Sequence, residues 1–107
     1  MSEFRNEKIT NHIRELAATY IEREGGKTSM ITVTRVILAQ GGKNATILIS
    51  VLPRDKEQAA FGFIKRNLSE MRAFIRERVN MNPIPYLEVE IDEGEKNRQK
   101  IDELLRS

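Results

Sequence analysis

Residues 45–52, which read ATILISVL, constrain the fold more than any other segment. Ile47, Leu48 and Ile49 follow one another without the polar alternation of a strand that has one face in water. A strand that is apolar on both faces is typical of the interior of a sheet. The segment therefore predicts a central strand with a neighbouring strand at each edge.

Two other segments can supply those neighbours. Residues 30–38 (MITVTRVIL) are rich in β-branched side chains, and a turn at 40–44 joins them to the central strand as an antiparallel hairpin. Residues 86–91 alternate apolar side chains with Glu88 and Glu90, which predicts a half-exposed third strand. A helical stretch connects it to the central strand, so the two should run parallel with a right-handed crossover.

The helices follow from apolar residues spaced three and four apart. Residues 6–24 predict a first helix that ends at Gly25-Gly26, since glycine readily adopts the left-handed conformation common at helix C-termini. Asp55 and Gln58 resemble a capping box at the start of a helical stretch that runs to about residue 80. That length exceeds an ordinary globular helix, so we predict a kink or break at residues 69–73.

The predicted order is α-β-β-α-(kink)-α-β with a short closing helix, which is an α+β fold. A mixed three-stranded sheet is covered by helices on one face. At 107 residues the chain fits a single domain (1–107), with a core at about 6–92 and a C-terminal helix at about 95–106. That helix is predicted to bury Ile101, Leu104 and Leu105.

Several classes of function find no support in the residues. The chain has no Cys and a single His, His12, so it offers no zinc or disulfide pattern, and no spacing marks a catalytic triad. The GGKTS sequence at 25–29 lacks the first glycine of a P-loop and follows a helix instead of a strand. Asp92, Glu93 and Glu95 suit a solvated turn at a helix start better than a metal site.

We therefore expect no enzyme activity, catalytic residue, metal, cofactor or small-molecule substrate. No apolar run approaches the roughly 20 residues that span a bilayer, and the first residues contain no signal-peptide core. We expect a cytoplasmic protein that does not bind membranes. No heptad seam is present, so a monomer is expected.

Charge is distributed unevenly along a chain whose formal net charge is only +2. Residues 1–27 are neutral, 28–53 carry +2, 54–84 carry +3 and 85–107 carry −3. At about 100° per residue, four side chains of the long helical stretch form one line beside its apolar stripe: Lys65, Ser69, Arg72 and Arg76. Such a basic ridge suits a phosphate backbone, although basic side chains beside a core also extend into solvent without any ligand.

Several stretches along nearly the whole chain form a recognisable set: ITVTRV, the alanine that opens ATILISV, Phe74-Ile75-Arg76, and the closing Asp92 with IDELL at 101–105. Together with the order of elements, they resemble the ribosome-binding factor A family, bacterial small-subunit assembly factors with a type II KH fold. The family's Ala-x-Gly kink corresponds here to Met71, Arg72 and Ala73. Tyr86 stands where the family has glutamate after its proline.

The resemblance implies a non-enzymatic factor that binds the small (30S) ribosomal subunit and assists late maturation of 16S rRNA, often with a role in cold adaptation. It implies that RNA lies against the helices beside the kink and is bound through charge and shape. The candidate RNA contacts are Lys65, Arg72 and Arg76, then Arg66, Arg54 and Ser69, with Arg35 and Lys43 on the hairpin as outliers. The alternative is a KH-like module whose main partner is a protein that docks on the acidic C-terminal surface (Glu88, Glu90, Asp92, Glu93, Glu95).

Overall fold

The computed structural model describes residues 3–25, 28–81 and 83–106. The helices are α1 (Glu3–Glu24), α2 (Glu57–Arg66), α3 (Leu68–Arg76) and α4 (Glu93–Arg106), and the strands are β1 (Met30–Leu38), β2 (Asn44–Leu52) and β3 (Tyr86–Ile91). A single 3₁₀ turn, Arg54–Lys56, connects β2 to α2. No helix in these ranges combines the length and apolar character needed to cross a bilayer.

The three strands form one mixed sheet in the order β1-β2-β3. β1 pairs antiparallel with β2, and β2 pairs parallel with β3, so that Ile47 lies opposite Val36 on one side and Val89 on the other. The central position of β2, the hairpin and the parallel crossover are all confirmed. The α+β order with a closing helix is consistent with a KH-like fold.

One face of the sheet packs against α1, α2 and α3, and it holds the core. On β2 the residues of this face include Ile47, Ile49 and Val51, each at most 4% exposed. The opposite face is open to solvent at both edge strands, where Met30 of β1 and Tyr86 of β3 are 66% and 67% exposed. The sheet therefore has one apolar, covered face and one mixed, accessible face.

The predicted break in the long helical stretch exists, but its predicted position at 69–73 was wrong. Asn67 separates α2 from α3, and Met71, Arg72 and Ala73 all lie inside α3. The Asn67 side chain donates a hydrogen bond to the Phe63 carbonyl at 2.8 Å, while its backbone N–H bonds to the Ile64 carbonyl at 3.0 Å. In a continuous helix the Asn67 backbone N–H would bond to the Phe63 carbonyl. The Asn67 side chain takes that carbonyl instead, and the helix breaks there.

Two helix ends also differ from prediction. No side chain caps the start of the 3₁₀ turn or of α2, so Asp55 and Gln58 form no capping box. At the end of α1, Gly25 is not left-handed, whereas Gly41 and Gly42 in the hairpin turn have φ of 86° and 73°. A Cβ on Gly25 would instead lie 2.5 Å from the Ile21 carbonyl oxygen, and the second predicted stop residue, Gly26, lies outside the described residues.

The prediction that α4 buries its apolar residues was wrong. Ile101, Leu104 and Leu105 are 56%, 70% and 79% exposed, and α4 has no buried residue. The core is formed by the covered face of the sheet with α1, α2 and α3, and it includes no residue of α4. Polar contacts join it to the domain, including Lys96 Nζ with Glu57 Oε1 at 3.1 Å.

Candidate nucleic-acid interface

The junction between α2 and α3 holds three of the predicted RNA contacts on exposed positions. Lys65 and Arg66 lie in the last turn of α2, and Ser69 lies in the first turn of α3. The Asn67 side chain points back to Phe63, so no side chain caps the first N–H groups of α3. The positive end of the α3 dipole and two basic side chains therefore meet at this junction.

The basic side chains of α2 and α3 differ in whether they form hydrogen bonds to other groups of the chain. Within the described part of the chain, the side chains of Arg66 and Arg76 form no ion pair or hydrogen bond, and both residues are exposed. Lys65 Nζ lies 5.8 Å from the centroid of the Phe61 ring and also lacks a carboxylate partner there. These three cations are available to external phosphates.

Arg72 has a structural role that the periodicity did not indicate. Its Nε donates to the Pro85 carbonyl at 3.0 Å, and one terminal nitrogen donates to the Ile84 carbonyl at 2.7 Å. The guanidinium carbon lies 4.7 Å from the centroid of the Tyr86 ring. Arg72 therefore fastens the segment before β3 to α3, and the predicted line of basic residues is interrupted both here and at Asn67.

Arg54 is not part of the junction. It lies in the 3₁₀ turn before α2, and the length of α2 places it about 15 Å from Lys65. Its guanidinium is 3.5 Å from Glu103 of α4, and its side chain is 35% exposed. The structure thus groups Lys65, Arg66 and Ser69, and it separates Arg54 from them.

An aromatic cluster at the C-terminal ends of α1 and α3 was missed at the sequence level. The Phe74 ring lies 5.6 Å from the Tyr20 ring, with the Arg78 guanidinium 3.7 Å above it and the Arg23 guanidinium 5.6 Å away. Tyr20 also donates a hydrogen bond to Glu70 at 3.2 Å. Burial, and then the hydrogen bond to Glu70, raise the pKa of the Tyr20 hydroxyl. Two signals in the sequence pointed to the rings of this cluster: Tyr20 has the helical spacing of the apolar residues of α1, and Phe74 belongs to the Phe74-Ile75-Arg76 motif.

Asp92 connects α4 to the sheet. The register of β1 against β2 passes from Val33 directly to Arg35, so Thr34 is an unpaired bulge residue. Its hydroxyl donates to Asp92 Oδ2 at 2.5 Å, and the Glu95 backbone N–H donates to Asp92 Oδ1 at 3.0 Å. These bonds, with the one from Thr34 contributing most, lower the pKa of Asp92. Asp92 is thus the N-cap of α4, which confirms the predicted turn at a helix start.

The other residues considered in the sequence, namely His12 and the acidic residues near the C-terminus, form no catalytic or metal-binding arrangement in the described part of the chain. His12 is exposed on α1. On the acidic surface, Glu95 is bound by Arg98 at 2.5 Å, and this contact lowers the pKa of Glu95. Glu88 and Glu90 are exposed on the open face of the sheet. No group of three potential metal ligands occurs within residues 3–25, 28–81 and 83–106.

Comparison with known proteins identifies one family and curated relatives that have the same name. The family described as ribosome-binding factor A matches residues 5–105. Two curated proteins named ribosome-binding factor A are each 26% identical to this chain. The one from Koribacter versatilis aligns with 94% of this chain and 84% of its own, and the one from Thermosipho africanus with 96% and 86%.

Solved structures share the fold. The crystal structure of ribosome-binding factor A from Thermus thermophilus has a TM-score of 0.72 at 20% identity, covering 79% of this chain and 93% of that one. A homology model of the Thermus thermophilus ribosome binding factor A, fitted into the cryo-EM map of a 30S complex, has a TM-score of 0.67 at 21% identity. It covers 76% of this chain and 88% of that one.

Proposed function

The chain belongs to the ribosome-binding factor A family, and we propose that it binds the small (30S) ribosomal subunit in the cytoplasm and assists late maturation of 16S rRNA. The observation that carries the proposal is the family match over residues 5–105. A structural neighbour, the Thermus thermophilus protein, has been fitted into a map of its 30S complex. The proposed role is that of a binding factor without catalytic residues, acting as a single-domain monomer.

We propose that the RNA-binding surface extends from the α2–α3 junction, with Lys65, Arg66 and Ser69, along α3 to Arg76 in its last turn. Lys65, Arg66 and Arg76 supply three positive charges without carboxylate partners in the described chain, and phosphate binding through such groups releases counterions from RNA. Ser69 adds a hydroxyl that can hydrogen-bond a phosphate or ribose oxygen. Arg72 contributes by holding the entry to β3, and Arg54 lies outside this surface.

The test is co-sedimentation of the chain with free small subunits and with complete ribosomes over a range of salt concentrations. We expect binding to free small subunits only, with an affinity that falls steeply as salt rises. A variant carrying Lys65→Glu, Arg66→Glu and Arg76→Glu should bind roughly tenfold or more weakly. Its slope of log affinity against log salt should be smaller by about 2 to 3.

The matched control carries Lys8→Glu, Lys100→Glu and Arg106→Glu. These residues are also exposed, and the change in net charge is the same, but they lie on α1 and α4. The control should retain both affinity and salt slope. Equal weakening by the two variants would contradict a local RNA surface, and failure of the unaltered chain to bind free small subunits would contradict the proposed function.

One observation favours the alternative of a KH-like module with a protein partner. The C-terminal helix exposes Ile101 and Leu105 beside the acidic segment, a combination that suits protein contacts. Binding through that surface would depend weakly on salt and would be lost with Ile101→Lys and Leu105→Lys. The same change leaves phosphate binding at the α2–α3 junction intact, so the two candidates give opposite results.

A further inference from the structure

Tyr86 is an exposed aromatic side chain at the first position of β3. It is 67% exposed, although a tyrosine in a strand usually covers its ring against neighbouring side chains. Its Cα is paired with that of Asn44 on β2, and the adjacent pair, Ala45 and Leu87, is buried toward the helices. The Tyr86 ring therefore belongs to the open face of the sheet.

The orientation of the ring is fixed from one side. The Arg72 guanidinium lies 4.7 Å from the ring centroid, and its hydrogen bonds to the Ile84 and Pro85 carbonyls hold it there. Ile84 and Pro85 are themselves buried, so this support does not depend on surface side chains. A ring held in place loses little conformational freedom when a second planar group stacks on it.

The surroundings of Tyr86 combine positive charge with hydrogen-bonding groups. The Tyr86 backbone N–H donates to the Lys43 carbonyl at 2.9 Å, so the end of the hairpin turn lies next to the start of β3. Lys43 and Asn44 are both exposed, and Lys43 has no ion pair within the described ranges. Glu88, two residues along β3 on the same face, is acidic. A phosphate beside the ring is therefore favoured at the Lys43 end.

We propose that Tyr86 is a stacking platform for an unpaired nucleotide of RNA, with Lys43 contacting its phosphate and Asn44 the edge of its base. Unstacked bases bind to proteins by stacking on aromatic rings. The Tyr86 ring is 67% exposed, and Arg72 supports it from one side. The proposal rests on the proposed function, which it deepens by adding a single-stranded segment to the rRNA contacts. It assigns this surface to RNA because positive charge and an accessible ring occur together.

The experiment measures binding of the full chain to two short probes of equal length, oligoadenylate and the same ribose-phosphate backbone without bases. The unaltered chain should bind oligoadenylate about tenfold more tightly, as expected for one stacked base. Tyr86→Ala should remove that difference, and Tyr86→Phe should retain it because the ring is preserved. The Lys65, Arg66 and Arg76 triple variant should retain the preference even where it weakens binding to both probes.

Tyrosine fluorescence gives a direct signature of stacking. The chain has no Trp and two Tyr, and Tyr20 is only 5% exposed. Oligoadenylate, but not the backbone probe, should therefore quench the fluorescence of Tyr86. A preference for bases that survives Tyr86→Ala, or the absence of any preference in the unaltered chain, would overturn the proposal.

Failure of this proposal is distinguishable from failure of the proposed function. Normal co-sedimentation of Tyr86→Ala with small subunits, without any base preference in the unaltered chain, refutes the stacking site alone. If the unaltered chain does not bind small subunits, the proposed function is refuted. Thermal unfolding of Tyr86→Ala and Tyr86→Phe provides the folding control. Tyr86→Phe should unfold close to the unaltered chain, and Tyr86→Ala slightly earlier, because the ring is largely exposed and only its contact with Arg72 is lost.

Discussion

Replacing Arg72 with alanine should destabilise the fold, because Arg72 joins α3 to the segment that leads into β3. The change removes two charge-assisted hydrogen bonds, of 3.0 Å and 2.7 Å, to the carbonyls of Pro85 and Ile84. Both carbonyls belong to buried residues, and leaving such a group unpaired costs about 1 to 3 kcal/mol. Contact with the Tyr86 ring adds about 0.5 to 1 kcal/mol. Because Arg72 itself is half-buried, we expect a loss of about 2 to 4 kcal/mol in the free energy of unfolding.

Urea unfolding and thermal unfolding both measure this loss. For a domain of this size, the thermal midpoint should fall by roughly 10 to 20 °C. Arg76→Ala is the matched control, since Arg76 is exposed in the same helix without a partner in the described chain, and it should change stability by less than about 0.5 kcal/mol. Arg72→Lys should fall between the two, because an ammonium group cannot reproduce the planar fork. Equal stability of Arg72→Ala and Arg76→Ala would refute the structural role of Arg72.

Three further predictions concern other parts of the fold. The pKa of Asp92 is lowered in the folded state, so its contribution to stability is present above the ordinary value of 3.8 and is lost as pH falls below it. Asp92→Asn should thus cost about 1 kcal/mol in urea unfolding at pH 7, and the gap should narrow as pH falls from 3.8 through the lowered pKa of Asp92. A gap that does not change with pH would contradict a stabilising Asp92 carboxylate. Gly25→Ala places a Cβ 2.5 Å from the Ile21 carbonyl and should cost about 1 to 3 kcal/mol, measured in the same way; a neutral result would contradict that close approach. Ile101→Gln should change the free energy of unfolding in urea by less than about 0.5 kcal/mol, because Ile101 is exposed. A loss of about 2 kcal/mol or more would show that Ile101 is buried.

The sheet was predictable because its pattern is local. The uninterrupted apolar run around Ile47 and Leu48 specifies burial on both faces, and the hairpin turn at Gly41 and Gly42 leaves few ways to pair the strands. The parallel placement of β3 follows from the connecting helices. These features depend on short stretches of sequence and on general rules of topology, so the residues were sufficient to predict them.

The details of the site were less predictable because they depend on the positions of the terminal groups of long side chains. Periodicity gives the direction of the Arg72 Cβ, whereas the position of its guanidinium depends on carbonyls more than ten residues away. The length of the helical stretch predicted a break, but it did not determine the position of that break, which we predicted at residues 69–73. The decisive group was the amide of Asn67, which takes the Phe63 carbonyl from the backbone.

The same limit applies to α4. An amphipathic pattern shows which residues could pack, but it does not show whether any apolar surface remains for them. Ile101 and Leu105 have the correct spacing for a buried face and are nevertheless exposed. The hydrophobic core forms between the sheet and α1, α2 and α3, without α4.

Because α4 buries none of its residues, its helix–coil equilibrium is largely separate from global unfolding. A 14-residue helix is marginal in water, and here Arg98 stabilises it through Glu95 and Asp102 while Asp92 caps it. Amide hydrogens in the second half of α4 should therefore exchange with solvent orders of magnitude faster than those of β2. The chain would then respond to mild denaturant in two stages, with the C-terminal helix melting before the sheet loses any of its hydrogen bonds.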